Sequence, residues 1–433
     1  MEPLGIGLIG CGTVGTGVAR LLLEQPGRLA ARAGRVLELR KVLVRQLDKP
    51  REVTLPPQLL TTDLQAIIRD PSIQVAVELV GGVDWARQAV LALLAAGKDV
   101  VTANKALLAT HGVEIFDAAR RHGRAIAFEA SVAGGIPIIA ALTQSLAANQ
   151  ILSLQGILNG TCNFILTEMT DSGRDYEAAL REAQRLGYAE ADPTLDVDGT
   201  DAAQKLAILA QIAFGLAVPL SAIDRRGIIG IDPLDIKYAA ELGYVIRLLA
   251  ESWLSEGQIA FHVSPVLLRQ QTPLAQVRGP YNAIYVNGDT VGDTLFYGRG
   301  AGQMPTASAV TADIIDLAIG RSQRTFQTLR LWTRNGERLE IRPPEMMRTR
   351  FYLRALVSDR PGTLAEVCGV LASHGVSIAS VIQNEVPDST EDQRVQLVIM
   401  THNALTGHFR AACRRLNELR CVSAPCVYYP VED

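Results

Sequence analysis

The sequence predicts an α/β protein: a doubly wound parallel sheet at the N-terminus, an α+β region after it, and a C-terminal β-α-β-β-α-β unit. Three observations support this fold class. Short apolar strands alternate with helices over residues 1–130. A glycine-rich turn joins the first strand to the first helix. Residues 351–433 hold four strand-like and two helix-like segments.

Bulk composition excludes several classes of function. The 433 residues suffice for two or three domains, and 48% hydrophobic with 20% charged residues is typical of a globular protein. A net charge of -3 gives no electrostatic reason to expect nucleic acid or a membrane as partner. The six cysteines lack metal-site or disulfide spacing, and no signal peptide or membrane span is expected. These features predict free thiols and a cytoplasmic location.

The first strand, Leu4–Ile9, leads into G-x-G-x-x-G at residues 10–15. Gly10 permits a tight turn, Gly12 lets a pyrophosphate approach the backbone, and Gly15 lets the helix pack on the strand. Thr13 and Val14 open that helix, where free N–H groups attract phosphate. In this strand–turn–helix context the motif favours a dinucleotide site, and hence a Rossmann-type domain, over a structural turn.

The second strand, residues 37–44, ends at Arg45 rather than at an acidic residue. A guanidinium can bind a 2′-phosphate with two hydrogen bonds, so Arg45 favours NADP over NAD. The nearby Asp48 argues in the opposite direction. Solvated loop charges are the remaining alternative.

The strand–helix alternation continues to residue 128, with strands at residues 75–80, 100–101 and 125–128. Ligands bind beyond the carboxyl ends of such strands. Thr102 and Lys105 follow one of these ends, and both are candidates for cofactor binding. Lys105 is therefore a candidate for substrate binding or catalysis, the alternative being a solvated lysine.

Residues 187–205 combine several carboxylates with Lys205 just before an apolar helix. Asp201 and Lys205 are four positions apart, so on a helix they share one face. From spacing alone, an acid/base site and a solvated surface ion pair both remain open.

Residues 321–350 are charged and include Pro343-Pro344, which is typical of a linker. Strands then follow at residues 351–357, 376–383, 394–401 and 426–429, with helices ending at Ser373 and covering 409–419. This is the ferredoxin-like order.

Seven segments, in order over nearly the whole chain, resemble homoserine dehydrogenase: GCGTVG, VVTANKALLA, EASVAGGIPII, GILNGTCNFIL, LGYAEADPTLDVDGTDAAQK, GIDPLDIKYAAELGYVIRLLA and GRGAGQMPTASAV. The resemblance implies reversible reduction of L-aspartate 4-semialdehyde to L-homoserine with a nicotinamide cofactor, in threonine, methionine and isoleucine biosynthesis. It implies a dinucleotide-binding domain over 1–130, onto which residues 300–320 return to pack. It further implies a substrate and dimerisation domain over 131–299, and a homodimer or homotetramer.

The resemblance also assigns residues to roles. Lys205 resembles the proton donor, and Lys105 resembles the second lysine at the reacting carbonyl. Asp201 resembles the neighbour of Lys205 at the substrate, where it either orients Lys205 or contacts the substrate directly. Glu190 resembles the carboxylate that binds the substrate ammonium. Backbone contacts to cofactor and substrate are implied at Gly160, Thr161, Ala301 and Gly302. A monovalent cation, sodium, is implied at Glu129 and the backbone of Val132, Gly134 and Ile136.

The segment D-R-P-G-T-L at residues 359–364 resembles the ACT domain, a module that binds amino acids. The implied effector is L-threonine, docked at Asp359, Gly362, Thr363 and Leu364. The alternative is a structural oligomerisation domain over residues 351–433. For the whole chain, the competing hypotheses are another amino-acid dehydrogenase and a non-catalytic amino-acid sensor.

Overall fold

The computed structural model describes residues 2–329, 331, 339–384, 394–423 and 425–432. The chain forms two compact units. The first unit comprises Met1–Leu154, Ala203–Ser221 and Tyr281–Leu339. The second comprises Gln155–Ala202, Ala222–Pro280 and Glu340–Asp433.

The strands, in chain order, are β1 Leu4–Ile9, β2 Leu37–Leu43, β3 Leu60–Thr61, β4 Val75–Glu78, β5 Asp99–Thr102, β6 Ile126–Ala127, β7 Ile151–Ile157, β8 Asp224–Arg225, β9 Tyr244–Ser255, β10 Gln258–Arg269, β11 Tyr281–Gly288, β12 Gly292–Arg299, β13 Glu340–Ile341, β14 Arg348–Ser358, β15 Ile378–Gln383, β16 Arg394–Thr401, β17 Ala404–Leu405 and β18 Val427–Glu432.

The helices, in chain order, are α1 Thr13–Glu24, α2 Pro26–Ala33, α3 Gln65–Ile68, α4 Asp84–Ala95, α5 Lys105–Arg121, α6 Ile138–Ala140, α7 Gly160–Ser172, α8 Tyr176–Arg185, α9 Thr194–Val197, α10 Thr200–Phe214, α11 Pro233–Glu241, α12 Gln303–Ala318, α13 Arg321–Leu329, α14 Thr363–Ser373 and α15 Thr406–Asn417.

The first unit contains a six-stranded sheet in the order β3-β2-β1-β4-β5-β6, with every neighbouring pair parallel. Strands β1, β4 and β5 are buried along their whole length, which explains why most of their residues are apolar. The chain leaves β1 in one direction to β2 and resumes on the other side at β4. Such a switch point opens a crevice at the carboxyl ends of the strands. The predicted doubly wound parallel sheet is confirmed.

Helix α12 packs on α1 in the same unit. A Cβ at Gly17 of α1 would lie 2.9 Å from the Ala307 Cβ of α12, so only glycine permits this approach. The remote segment that follows β12 therefore covers the helix that begins at the glycine-rich turn.

The C-terminal part of the second unit has strands in the order β18-β14-β16-β15, with α14 and α15 between them in the chain. All three strand pairs are antiparallel. Phe351 of β14 stacks on Phe409 of α15, with ring centroids 3.9 Å apart. The predicted β-α-β-β-α-β order is confirmed. In the same unit, β9 and β10 form a long antiparallel hairpin, and β10 also pairs with the end of β18.

The segment over 321–350 was expected to be a linker, but its first part forms helix α13. The buried side chain of Phe326 packs this helix against the fold. Helix α5 runs without interruption from Lys105 to Arg121. Within the described ranges, no helix is both long and apolar enough to cross a bilayer.

Candidate functional site

The glycine-rich turn in the first unit has the geometry of a phosphate-binding loop. Gly10 has φ +96, and a Cβ there would lie 2.9 Å from Val80 Cγ1. A Cβ at Gly15 would lie 2.1 Å from the Gly10 carbonyl oxygen. At Gly12, by contrast, no described atom lies within 4 Å of the Cβ position. Gly10 and Gly15 are therefore required by the fold, whereas Gly12 borders open space.

That open space lies at the N-terminus of α1. Gly12 is the N-cap residue, and in the described structure no side chain caps the helix and no acidic residue lies in its first turn. The N–H groups of the first turn, which begins with Thr13 and Val14, point out of the helix and carry partial positive charge. These residues fit the pyrophosphate of a dinucleotide.

A buried hydrogen-bond network fixes the loops after β4 and β5. The Glu78 carboxylate, fully buried, accepts from Thr102 Oγ1 at 2.7 Å and from Val80 N at 2.9 Å. Burial raises the pKa of Glu78. Asn104 accepts from Leu107 N at 3.1 Å, which caps α5, and donates to the Gly82 carbonyl at 2.7 Å. The Thr102 hydroxyl is predicted to contact the cofactor, but in the structure it donates its hydrogen bond to the buried Glu78 carboxylate.

Lys105 is the first residue of α5, held at the carboxyl edge of the sheet by this network. Neither Glu78 nor Asn104 was predicted from the sequence. A signal was present for Glu78, since a charged residue ending the apolar run VAVE needs a buried partner.

Arg45 follows the β2–Val44 segment and is exposed. In the described part of the chain it makes no hydrogen bond or ion pair. Arg51, close behind, is held by the same loop, because its guanidinium donates to the Gln46 and Lys49 carbonyls at 2.5 and 2.8 Å. Of these two arginines, Arg45 is therefore the one available to a phosphate.

Glu129 is buried, and its carboxylate caps the start of α6, accepting from Ile139 N at 3.0 Å and Ala140 N at 2.8 Å. Its own N–H donates to Asp313 Oδ2 of α12 at 2.9 Å. Burial raises the pKa of Glu129 to about 7 and the pKa of Asp313 well above its usual range. Two acidic groups are thus adjacent inside the first unit.

The loop after Glu129 has a strained backbone, with Ala133 at φ +45. The Gly134 N–H donates to the Gly300 carbonyl at 2.9 Å, and the Ile136 carbonyl accepts from Ile138 N at 2.8 Å. Among the described residues, no donor reaches the carbonyls of Val132 and Gly134. No group of three or more His, Cys, Asp or Glu side chains in the described ranges is arranged to hold a metal. A cation here would therefore depend on backbone oxygens.

Gly302, at φ +127, is the N-cap of α12.

In the second unit, one amide holds two carboxylates. Asn159 Nδ2 donates to Asp196 Oδ1 at 2.7 Å and to Asp201 Oδ2 at 2.9 Å. Its Oδ1 accepts from Cys162 N at 2.8 Å, which caps α7. Asn159 therefore fixes Asp196 and Asp201 relative to the α7 N-terminus. It was not predicted as a site residue, although it lies in the motif GILNGTCNFIL.

Thr161, next to Gly160 in the first turn of α7, fastens the loop that follows α8. Its hydroxyl lies 2.7 Å from the Tyr188 carbonyl and 3.1 Å from Asp196 Oδ2. Glu190 lies on that loop with an exposed side chain, while its carbonyl accepts from Gln184. In the described residues the Glu190 carboxylate has no hydrogen-bond or ion-pair partner, so it is available to a cationic ligand.

Asp201 and Lys205 both lie on α10 and are buried, with 6% and 9% of their surface exposed. Their burial excludes the solvated surface pair that the spacing left open. Buried ionisable residues at the start of a helix are typical of functional sites.

The turn before α14 carries the residues of the predicted regulatory site. Gly362 has φ +94 and is the N-cap of α14. Asp359 is exposed and accepts from Gln383 Nε2 at 3.2 Å, and Leu364 is also exposed. Thr363 is buried, and within the described residues its hydroxyl has no hydrogen-bond partner.

Family models match most of the chain. Residues 10–129 match "Homoserine dehydrogenase, NAD binding domain", residues 137–315 match "Homoserine dehydrogenase", and residues 351–420 match "ACT domain".

Individual proteins agree with these matches. Homoserine dehydrogenase from Synechocystis is 44% identical over 96% of this chain and 96% of its own length. The crystal structure of a homoserine dehydrogenase from Thiobacillus denitrificans has a TM-score of 0.93 at 42% identity, covering 100% of this chain and 99% of that one. A hyperthermophilic archaeal homoserine dehydrogenase, solved in complex with NADPH, has a TM-score of 0.62 at 27% identity and covers 74% of this chain and 98% of that one.

Proposed function

The chain belongs to the homoserine dehydrogenase family of NAD(P)-dependent oxidoreductases, and we propose that it interconverts L-aspartate 4-semialdehyde and L-homoserine in threonine, methionine and isoleucine biosynthesis. The observation that carries this proposal is the full-length match to homoserine dehydrogenases, combined with a dinucleotide turn of the right geometry. Residue roles are proposed from the motifs that these residues occupy.

Bound NAD(P)H would supply the hydride for aldehyde reduction. Negative charge then develops on the carbonyl oxygen, which a cation or proton donor stabilises. We assign proton donation to Lys205 and charge stabilisation to Lys105. Glu190 binds the substrate ammonium, since its carboxylate is exposed and has no partner in the described residues. Asp201, held by Asn159, contributes a fixed carboxylate beside the substrate.

Lys205→Ala tests the central assignment. Loss of a general acid should lower kcat by about 10²–10⁴-fold, while the dissociation constant for the cofactor changes little. Gln204→Ala, one position away on α10, is the matched control and should keep near-normal turnover. An NAD(P)H absorbance assay with homoserine measures the turnover of both variants. Near-normal turnover in Lys205→Ala would exclude the proposed role.

NADP is the proposed cofactor, on the strength of the available Arg45 guanidinium and the archaeal relative solved with NADPH. Arg45→Ala should lower kcat/KM for NADP and leave that for NAD nearly unchanged. Lys49→Ala, an exposed cation in the same loop, is the control. Preference for NAD in the unmutated protein would refute the assignment.

A monovalent cation, sodium, is proposed at Glu129 with the carbonyls of Val132, Gly134 and Ile136. Hard oxygen ligands suit such a cation, and its charge would compensate the buried pair of Glu129 and Asp313. The melting temperature should be higher in sodium chloride than in N-methylglucamine chloride at equal ionic strength. Equal values in the two salts would remove support for the site.

Threonine is the proposed feedback inhibitor, bound at the turn of Asp359, Gly362, Thr363 and Leu364. The ACT match, the exposed carboxylate and the unmet Thr363 hydroxyl support this. Asp359→Ala should raise the threonine concentration for half-inhibition without changing basal kcat, and Glu418→Ala is the control on the same unit. An unmutated enzyme that threonine does not inhibit would contradict the proposal.

A cytoplasmic location is consistent with the free state of the six cysteines. A homodimer or homotetramer is proposed from the family resemblance alone. Light scattering coupled to size-exclusion chromatography measures the assembly mass directly.

A further inference from the structure

The second unit contains a cavity of about 260 Å³ against one face of the sheet formed by β9, β10, β18 and β14. Its lining includes Trp253, Ala260 and Ser264 of the sheet, together with Met347 and Arg410, which lie outside β9 and β10. The volume is slightly below the range of about 300–1,000 Å³ for drug-sized ligands, so it suits a small metabolite. We call it the sheet-face cavity.

A row of ionisable residues crosses the floor of the sheet-face cavity. Glu251 of β9 is directly opposite His262 of β10, and His262 is in turn opposite Asp224 of β8. Residues directly opposite each other share one face of a sheet. All three line the cavity. With strands about 4.8 Å apart, the row extends over roughly 10 Å.

The Glu251 end of this row is contacted by an amide side chain from β7. Gln155 Nε2 donates to Glu251 Oε1 and to Glu432 Oε1, each at 3.0 Å, so a single amide lies between two carboxylates. Glu251 is only 1% exposed, and in the described part of the chain no lysine or arginine pairs with it. His262 Nε2 lies 3.0 Å from Glu251 Oε2 but is not aligned for a hydrogen bond. A buried carboxylate without a strong cationic partner favours a cationic ligand.

Polar atoms without partners line the rest of the cavity. Among the described residues, His262 Nδ1 and Ser264 Oγ are buried without a hydrogen bond, and both residues are more than nine-tenths buried. Arg410 Nε is also unbonded, although the guanidinium pairs with Asp224 through its terminal nitrogen. Buried polar groups are rarely left unsatisfied in native proteins, so three around one cavity indicate an occupant.

We propose that the sheet-face cavity binds a free amino acid as its zwitterion. Its ammonium binds at Glu251, and its carboxylate binds at Arg410 Nε. His262 and Ser264 also line the cavity and offer hydrogen bonds, while Trp253 contributes an apolar surface. The turn at residues 359–364 does not line this cavity, so the site is separate from the proposed threonine site and does not rest on it.

The test uses the full-length protein and isothermal titration calorimetry with each proteinogenic amino acid in turn. At least one should bind, and Glu251→Gln should weaken its Kd at least tenfold because the anionic partner of the ammonium is lost. Ser264→Leu fills the cavity without changing charge and should abolish the same binding. Glu256→Gln, in the exposed β9–β10 turn, is the matched control and should keep the unmutated Kd.

Two further measurements separate this site from others. Melting curves establish that each variant is folded, and Ser264→Leu keeps the test decisive if Glu251→Gln is unstable. Asp359→Ala should retain the binding. The proposal is overturned if no amino acid binds, if both cavity variants bind like the unmutated protein, or if Asp359→Ala alone abolishes binding. Homoserine oxidation without effector reports separately on the proposed catalytic function and should be unchanged in the cavity variants.

Discussion

Asp235 of α11 is the centre of a buried polar cluster that ties this helix to β14 and β18. Its carboxylate accepts from Arg354 Nε at 2.5 Å and Arg354 Nη2 at 2.9 Å, and from the Tyr352 hydroxyl at 2.9 Å. The Tyr429 hydroxyl lies 3.3 Å from its second oxygen. Asp235 is fully buried and Arg354 is 8% exposed. Asp235→Ala would therefore leave a guanidinium inside the protein without its main anionic partner.

The expected cost follows from this geometry. Removing one member of a buried ion pair destabilises a protein by about 3–5 kcal/mol, because the other charge stays desolvated. For a unit of this size each kcal/mol lowers the melting temperature by roughly 2–4 °C, so the expected drop is about 6–20 °C. Asp232 also contacts Arg354, at 3.1 Å, but its side chain is 40% exposed. Asp232→Ala should cost only about 1 kcal/mol, chiefly through loss of the α11 cap.

Urea unfolding followed by circular dichroism compares the two variants, with Asp235→Asn as a neutral variant of the same shape. The order of stability should be unmutated protein, Asp232→Ala, Asp235→Asn and Asp235→Ala. A loss below about 1 kcal/mol in Asp235→Ala, or a loss equal to that of Asp232→Ala, would refute the assignment of this cluster as a main attachment of α11.

Three further outcomes are expected. Gly15→Ala should lower the melting temperature because its Cβ would clash with the Gly10 carbonyl oxygen. Gly12→Ala should fold normally but raise KM for the cofactor. Equal melting temperatures for the two variants would contradict this expectation. Burial raises the pKa of Cys426 to about 11, so at pH 8 iodoacetamide should label it more slowly than Cys368, with a rate that rises up to about pH 11, measured by mass spectrometry. Asn159→Ala should lower kcat/KM for homoserine, since Asp196 and Asp201 lose their shared donor; an unchanged value would separate that network from catalysis.

The parts of the fold that sequence predicts well are those with local causes. The glycines at positions 10 and 15 are forced by the turn and by helix–strand contact, so their spacing between an apolar strand and a helix identifies the turn. Strand β1 is a continuous apolar run, and β4 is apolar up to its last residue, Glu78. The β-α-β-β-α-β order follows from segment lengths and turn residues alone.

The parts that sequence does not predict depend on distant partners. In helix α13 the buried residue is Phe326, and most of the other residues are polar. The sequence of this helix therefore resembles a linker. Glu78 is satisfied by Thr102, and Asp235 by residues more than a hundred positions away. The sequence alone does not show whether a carboxylate is solvated or pairs with a guanidinium that is distant in the chain. The burial of Asp201 and Lys205 likewise could not be predicted from their spacing.

The same long-range contacts bear on how an effector could act on catalysis. The C-terminal strands share a compact unit with β9, β10 and α11, through the pairing of β18 with β10 and the Asp235 cluster. Deleting residues from Arg350 onward would therefore expose β10 and leave Asp235 buried without Arg354, so loss of activity after such a deletion would report on folding. Point substitutions at Asp359 or Glu251 avoid this ambiguity, because neither removes a strand or a member of the Asp235 cluster. If an effector changes turnover, the buried attachment of α11 at Asp235 predicts that Asp235→Asn weakens inhibition more than it lowers basal kcat. Activity measured with and without threonine tests this expectation.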